Sequence, residues 1–254
     1  MPPHSSPPIR ALRLAAALGV AGVLAAVGAP AGAQRAAPRG TIKGHVKLLG
    51  KLPGNPIIRM GMDPMCARIN AGKRVIQETV AAAIDGSLAN VFVRLEGSFP
   101  PAPPPKQPVV LDQSGCIYHP RVLGAQVGQV LQVRNSDDLI HNVHSLSANG
   151  NSFNVSEPKA GMAQSFTLGH EEVMLRIKCD IHSWMVAYVG VVPHPYFAVT
   201  NQAGAFEIDN VPPGTYMITA WQERYGPQTQ KVQVKAGATA TVEFTYTSTE
   251  KSPA

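Results

Sequence analysis

The sequence predicts an all-β fold made of two β-sandwiches. Short runs in which apolar and polar residues alternate recur along the chain, and clusters of Gly, Pro, Asn and Asp separate them. These runs lack the three- and four-residue apolar spacing of a long helix. Short strands at regular spacing are typical of β-sandwiches.

The first residues are predicted to form a targeting signal. Arg10 and Arg13 precede an apolar run over 14–27, and Ala31-Gly32-Ala33 offers small residues for cleavage before Gln34. We therefore expect a signal peptide at 1–33, a disordered leader at 34–39 and a mature chain in the periplasm or outside the cell. A retained N-terminal anchor is the alternative. Because no other apolar run approaches the length of a span, we expect no stable membrane insertion of the mature chain.

The charge balance of the chain is mildly basic. The formal net charge of +6 falls to +4 when the two arginines of the predicted signal peptide are removed. Lys and Arg do not cluster on one helix or in a nucleic-acid motif. We therefore expect no nucleic-acid partner.

The first block of predicted strands runs to a proline-rich segment. Ile42, Val46 and Leu48 alternate with polar residues, and segments 79–84 and 88–95 flank the hairpin turn Asp85-Gly86. Six prolines lie between positions 98 and 108, a composition that favours an extended, semi-rigid linker.

Two further blocks of strands follow the linker. The second block contains predicted strands at 127–133 and 173–177 and a continuous apolar run at 186–192, as in a buried strand. The third block alternates through 206–208, 216–220, 232–234 and 242–246, with a turn at Pro212-Pro213-Gly214.

The sharpest chemical signal is the segment Cys179-Asp180-Ile181-His182-Ser183-Trp184-Met185. It places a thiolate, an imidazole and a thioether on one short loop, and a site with two His, one Cys and a weak axial Met suits copper. The fourth donor must come from elsewhere, and His141 follows the turn-rich segment Asn135-Ser136-Asp137-Asp138.

These two segments resemble the cupredoxins, the small blue copper proteins, and the Cys-x2-His-x2-Met loop is most similar to that of amicyanin. The resemblance covers about 108–197 and implies a Greek-key β-sandwich with one type 1 copper ion on His141, Cys179, His182 and Met185. It implies that Asn142 directs its backbone N–H at the sulfur of Cys179 and ties the two ligand loops together with its side chain. The outer edge of His182 is then the expected port for electrons.

Several alternatives accompany this ligand set. His144 competes with His141 as the donor, and zinc is disfavoured because structural zinc sites rarely use Met. Met60, Met62 and Met65 either bind Cu(I) or fill gaps in an irregular loop. With Cys179 assigned to the metal, Cys66 and Cys116 are left to form a disulfide as a hypothesis.

The C-terminal block is similar to the carboxypeptidase regulatory-like domains, which have a prealbumin-like (transthyretin-like) or carbohydrate-binding-like sandwich. The similarity rests on residues 200–206, on Val211-Pro212-Pro213-Gly214-Thr215-Tyr216 and on Ala220-Trp221, and residues 40–46 look like the first strand of such a domain. We therefore predict that the copper domain is inserted into a discontinuous sandwich. The division is 40–97 for the N-terminal part of that sandwich, 98–107 for the linker, 108–197 for the copper domain, 198–246 for the C-terminal part and 247–254 for a disordered tail.

The expected function is single-electron transfer, and the chain is expected not to be an enzyme because it carries no recognisable catalytic motif. The resemblance implies a periplasmic redox partner, such as a cytochrome c or a dehydrogenase or oxidase. One alternative is copper trafficking. Another is a structural or sugar-binding module stabilised by copper, in which Trp221 and Tyr225 make a weak glycan contact.

Overall fold

The computed structural model describes residues 37–249, in which the regular elements are β-strands apart from a 3-10 turn at Met60–Met62 and the helix α1 at Pro64–Ile69. The predicted signal peptide at 1–33, its cleavage site and positions 250–254 of the predicted tail lie outside the described residues. Between 37 and 249, no helical segment has the length and hydropathy of a membrane span.

The strands in chain order are β1 (Gly40–Leu49), β2 (Phe92–Leu95), β3 (Val109–Ser114), β4 (Ile117–His119), β5 (Val122–Gln126), β6 (Val130–Asn135), β7 (His141–Ser145), β8 (Asn154–Glu157), β9 (Ala163–Thr167), β10 (Glu172–Lys178), β11 (Val186–Val192), β12 (Phe197–Val199), β13 (Ala205–Val211), β14 (Gly214–Gln222), β15 (Gly226–Val234) and β16 (Thr239–Thr247). They form four sheets, in the orders β13-β1-β16, β12-β2-β14-β15, β5-β11-β10-β7-β8 and β4-β3-β6-β9. The all-β fold class predicted from the sequence is confirmed.

The first two sheets enclose one hydrophobic core, and we call this unit the terminal sandwich because it holds β1 and β16. β1 shows how sequence alternation builds it: Ile42, Val46 and Leu48 are buried, while Lys43 and Lys47 are exposed. Burying an aliphatic side chain of this size contributes about 1.5–3 kcal/mol. The period of two therefore fixes which face of the strand joins the core.

The other two sheets, formed by residues 109–192, enclose a second core, and we call this unit the inserted sandwich. This unit is an insertion between two neighbouring strands of the terminal sandwich, β2 and β12, which pair with Arg94 opposite Phe197. The chain thus leaves the terminal sandwich after β2 and returns on the neighbouring strand. The proline-rich segment before β3 contacts the inserted sandwich, because Gln126 donates to the carbonyl of Ala102 and Gln129 to that of Gln107.

The two sandwiches meet at an apolar cluster formed by Phe92, Val122 and Val192. Gly190 on β11 lets the Phe92 ring approach the sheet, since a Cβ at this position would lie 2.4 Å from a ring carbon. This close contact explains why a glycine interrupts a strand that is rich in valine.

The predicted hairpin at 79–95 is shorter than the sequence suggests. The Asp85-Gly86 turn forms, but its flanks pair through an isolated bridge between Ala82 and Leu88, and the regular strand β2 begins at Phe92. The reason is competition from β1, because Leu48 donates to the carbonyl of Gly86 and Leu88 donates to the carbonyl of Val46.

A segment at 56–77, which we call the cover, departs from the predicted division of the chain. The sequence analysis assigned it to the terminal sandwich, but it packs on the inserted sandwich through the apolar cluster of Met60, Cys66, Cys116 and Leu139. Its two ends pair through the bridge between Ile57 and Ile76. The cover carries α1 and brings residues from the first block of the chain to the predicted copper ligands.

Candidate metal centre

His141 opens β7 directly after the turn at 135–138. The side chain of Asn135 organises this turn, since its amide donates to the Leu139 carbonyl at 2.8 Å and its oxygen accepts from the Asp137 N–H at 2.9 Å. The ring of His141 is completely buried. Its Nε2 lies 2.9 Å from a carboxylate oxygen of Asp137, so its Nδ1 faces the opposite side.

The second ligand segment is a tight loop between β10 and β11. Cys179 N–H donates to the Met185 carbonyl at 3.1 Å, and Met185 N–H donates to the His182 carbonyl at 2.9 Å. The backbone N–H of His182 also donates to Cys179 Sγ at 3.3 Å. A loop closed in this way fixes three donor residues at small entropic cost.

The structure brings three of the four predicted donors together: His141, Cys179 and His182. The Nδ1 atoms of His141 and His182 are 3.1 Å apart, and Cys179 Sγ lies 3.7 Å from the Nδ1 of His182. Ligand atoms of these three residues all lie within 4.8 Å of one another. Met185 is fully buried in the same apolar cluster as Cys179, one loop residue beyond Trp184.

The electrostatics of the cluster favour a thiolate. Burial alone would raise the pKa of Cys179, but hydrogen bonds from the imidazoles of His141 and His182 and from the His182 N–H lower this pKa to about 6. A thiolate at neutral pH is the form that binds soft metals. The arrangement therefore offers one anionic sulfur and two imidazole nitrogens at a buried point.

Each imidazole is held by a carboxylate on its outer nitrogen. Asp137 binds His141 Nε2 at 2.9 Å, and Asp63 binds His182 Nε2 at 3.0 Å. Burial alone would lower the pKa of both imidazoles, but the carboxylates and Cys179 raise these pKa values above the ordinary value. Outer partners of this kind fix ring orientation and leave both Nδ1 atoms free to bind a metal.

Both carboxylates are themselves fixed by backbone N–H groups. Asp63 caps α1 by accepting from Met65 and Cys66, each at 2.9 Å, and Asp137 accepts from Gly115 and Cys116, each at 2.8 Å. These hydrogen bonds, together with those from the imidazoles, hold the pKa of each carboxyl below its usual value even though burial opposes the shift.

Asn142 takes one of the two roles that the resemblance implied. Its side-chain oxygen accepts from the Asp180 N–H at 3.0 Å and thereby ties the two ligand segments together. Tyr118 adds a second tie, because its hydroxyl donates to the carbonyls of Asn142 and Lys178. The second implied role was a hydrogen bond from the Asn142 N–H to Cys179 Sγ, and it is not among the hydrogen bonds of residues 37–249. The backbone N–H that donates to this sulfur belongs to His182.

The expectation that His182 presents an open edge to solvent is wrong. His182 is only 1% exposed to solvent. Its Nε2 is hydrogen-bonded to Asp63, and Cys66 Sγ lies 3.6 Å from the same nitrogen. The cover lies over the edge where the port was expected. The physical reason is the disulfide between Cys66 and Cys116, which the structure forms as hypothesised and which joins the cover to the inserted sandwich.

His144, the alternative to His141, makes its contact outside the cluster. His144 is partly exposed and its Nδ1 is 3.0 Å from the Asp180 carboxylate. The three methionines of the cover do not share one environment: Met60 packs beside the disulfide, whereas Met62 is 94% exposed and Met65 is 41% exposed.

The aromatic residues that were considered for glycan contact are engaged in packing. Tyr225 is buried against Tyr246 in the core of the terminal sandwich, and the ring of Trp221 lies 5.1 Å from that of Tyr188. Neither arrangement presents a flat pair of exposed rings on which a sugar could stack.

Sequence reasoning missed the two carboxylates and the role of Trp184. The dipeptide Asp63-Pro64 carries a signal for α1, because Asp is a preferred N-cap and Pro suits the first helical position. From the sequence, Asp137 was recognised only as part of the turn before His141. Trp184 packs 5.2 Å from the His182 ring and donates from Nε1 to the Cys116 carbonyl at 2.8 Å.

Comparison with known proteins assigns the C-terminal part of the chain. Residues 187–247 match the model of the carboxypeptidase regulatory-like domain, which confirms that resemblance. The match begins within β11, before the predicted boundary at 198. No curated protein matches the chain.

Among the solved structures that are similar to this chain are several cupredoxins. A purple cupredoxin from Nitrosopumilus maritimus is 21% identical, with 33% of this chain and 98% of that protein covered and a TM-score of 0.29. A methionine-to-alanine mutant of amicyanin with Cu(I) is 20% identical, with 39% and 97% covered and a TM-score of 0.30. A methionine-to-glutamine mutant of amicyanin with Cu(I) is 24% identical, with 33% and 80% covered and a TM-score of 0.29.

Proposed function

We propose that this chain binds one copper ion through His141, Cys179, His182 and Met185 and transfers single electrons. One observation carries the proposal: three donor atoms, from two imidazoles and one thiol, converge within 4.8 Å at a buried point. Met185 lies on the same loop as two of them and offers a weak thioether ligand.

The donor chemistry favours copper over zinc. Structural zinc sites use four Cys or His ligands in most cases and catalytic zinc sites keep a position open to water, whereas this cluster offers a thioether and is buried. A thiolate with two imidazoles and an axial thioether is the set that copper electron-transfer sites use. When bound, copper would supply one-electron chemistry by alternating between its Cu(I) and Cu(II) states.

The surrounding residues are suited to electron transfer because they resist rearrangement. Asp63 and Asp137 orient the two imidazoles, and Asn142 and Tyr118 tie the ligand segments to each other. Donors that are held rigidly change position little when the charge of the site changes. Their burial also keeps water away from the ligand atoms.

In this proposal the chain acts as a carrier and not as an enzyme. The periplasm is its proposed location, which rests on the sequence of residues 1–33. Its proposed partners are redox proteins of that compartment, such as a cytochrome c, a dehydrogenase or an oxidase. Transient redox contacts of this kind are small, with less than about 1,200 Å² of surface buried.

The test is an optical and electron-paramagnetic spectrum of the mature protein after addition of Cu(II). We expect an intense blue thiolate-to-copper band that Cys179→Ala abolishes. His144→Ala is the matched control and keeps the band, because His144 pairs with Asp180 and not with the cluster. A colourless wild-type protein, or a band that survives in Cys179→Ala, would overturn the proposal.

A further inference from the structure

The cover closes the route by which a partner could touch His182 directly. Asp63 occupies the outer nitrogen of the ring, and the disulfide sulfur of Cys66 lies 3.6 Å from it. Electrons that reach the cluster from outside must therefore pass through a neighbouring group. Trp184 is such a group, since its ring centroid lies 5.2 Å from that of His182 and its residue is partly exposed.

Trp184 forms part of the wall of a cleft between the cover and the inserted sandwich. The cleft has a volume of about 490 Å³, within the ~300–1,000 Å³ range of small-molecule sites. Its apolar lining includes Ile58, Ile69 and Ile117. Asp137, which holds the outer nitrogen of His141, also lines it, so the cleft touches groups that contact both imidazoles.

The charge at the cleft is favourable to an anion. Lys73 and Arg74 line it, both are exposed, and neither makes an ion pair within residues 37–249. Arg121 also lines the cleft but is engaged by the carboxylate of Glu223 at 2.7 Å. The acids on the wall are Glu78 and Asp137, and the Asp137 carboxylate is paired with the His141 ring.

We propose that this cleft binds a small aromatic anion and that such a molecule exchanges electrons with the metal centre by way of Trp184. The apolar walls and the indole would hold a planar ring, while Lys73 and Arg74 would pair with a sulfonate, carboxylate or phenolate. The electron-exchange part of this inference rests on the proposed function; the binding part does not.

The redox step balances with a hydroquinone-type donor. One hydroquinonesulfonate loses two electrons and releases two protons to water, and it becomes benzoquinonesulfonate. Two molecules of the copper(II) protein accept one electron each. No bond to the protein forms or breaks.

Binding is tested first in copper-free protein, with 4-hydroxybenzenesulfonate as the probe. The chain has two tryptophans, so its NMR spectrum has two indole N–H signals, which Trp221→Phe assigns. We expect the probe to shift the Trp184 signal in a saturable manner and to leave the Trp221 signal unchanged. The Trp221 ring packs on Tyr188 and does not line the cleft.

Charge reversal then tests the role of the cleft. The double variant Lys73→Glu/Arg74→Glu is expected to weaken sulfonate binding about tenfold and to leave the binding of neutral 4-methylphenol unchanged. Lys231→Glu/Lys235→Glu is the matched control, because both residues are exposed on or beside β15 and neither lines the cleft. No shift of the Trp184 signal, or equal weakening by both double variants, would overturn the inference.

The redox arm uses the copper-loaded protein and hydroquinonesulfonate. The rate of bleaching of the blue band should saturate with donor concentration, and the cleft variant should reach half-saturation at about tenfold higher concentration than the control variant. If the probe binds copper-free protein but the loaded protein has no blue band, the proposed function fails and the binding site stands. If the blue band is present but the cleft variant and the control variant reach half-saturation at the same donor concentration, the inference fails and the proposed function stands.

Discussion

The substitution Glu157→Gln is expected to stabilise the protein at neutral pH and to have little effect on stability at acidic pH. Glu157 ends β8 opposite His141 and is completely buried. Gln113 donates from Nε2 to one of its carboxylate oxygens. The other oxygen of Glu157 and the side-chain oxygen of Gln113 have no hydrogen-bond partner within the described residues. A proton on Glu157 would turn one of its buried oxygens into a hydrogen-bond donor and would remove the buried negative charge.

Burial raises the pKa of Glu157 from 4.5 to about 6, against the opposing effects of Gln113 and His141. A folded-state pKa above the unfolded value means that the folded state binds more protons between these two pH values. The free energy of unfolding therefore falls as the pH rises from 4.5 through 6. The difference in pKa corresponds to a loss of about 2 kcal/mol at neutral pH. Glutamine has the same shape and keeps a donor at all pH values, so the variant escapes this loss.

The assay is urea unfolding of copper-free wild-type and Glu157→Gln protein at pH 4.5 and pH 7.5. We expect the two proteins to be nearly equal at pH 4.5 and the variant to be more stable by about 2 kcal/mol at pH 7.5. Titrating groups that do not interact with Glu157 contribute equally to both proteins and cancel in the difference. A stability difference that does not change with pH, or a variant that is less stable than the wild type at pH 7.5, would contradict this prediction.

Two further predictions concern the cross-link and the contact between the sandwiches. Replacing both Cys66 and Cys116 by Ala should lower the free energy of unfolding by about 4 kcal/mol in the chain-entropy model, because the bridge spans 50 residues; urea unfolding measures this. Gly190→Ala should cost about 1–3 kcal/mol, since the added Cβ would lie 2.4 Å from the Phe92 ring. Gly169→Ala is its control, with no atom within 4 Å of the added Cβ, and equal melting temperatures for the two glycine variants would contradict the prediction.

Alternation along the strands made most of the fold predictable. In β1 and in β16 the residues at every second position are the buried ones, so the sequence determines both the strand and its inner face. Alternation does not say which strands pair. The hairpin at 79–95 was overestimated for this reason, since the backbone at 86–88 pairs with β1, which lies some forty residues earlier in the chain.

The cluster of His141, Cys179 and His182 was predictable because its side chains are chemically distinctive and two of them share one short loop with Met185. Cys179, His182 and Met185 stand within seven residues, and His141 follows a recognisable turn. The disulfide followed from the same assignment, because a metal role for Cys179 left two cysteines.

The partners of the imidazoles were not predictable in this way. Asp63 is 119 residues away from His182 in sequence, and aspartates are common on protein surfaces. Its contact exists because α1 and the disulfide place the cover over the cluster, which is a consequence of tertiary packing. The same packing buries His182 and places Trp184 between that ring and the cleft.

If the site carries electrons, copper stays bound to it in both oxidation states, and redox cycling beside a competing chelator measures this. The copper-loaded protein is reduced with ascorbate and reoxidised with hexacyanoferrate(III) through repeated cycles, in the presence of the Cu(I) chelator bathocuproine disulfonate. We expect the blue band to return fully after each cycle and the chelator to take up no copper. Transfer of the copper to the chelator at the first reduction would contradict this expectation and would identify the site as one that delivers Cu(I).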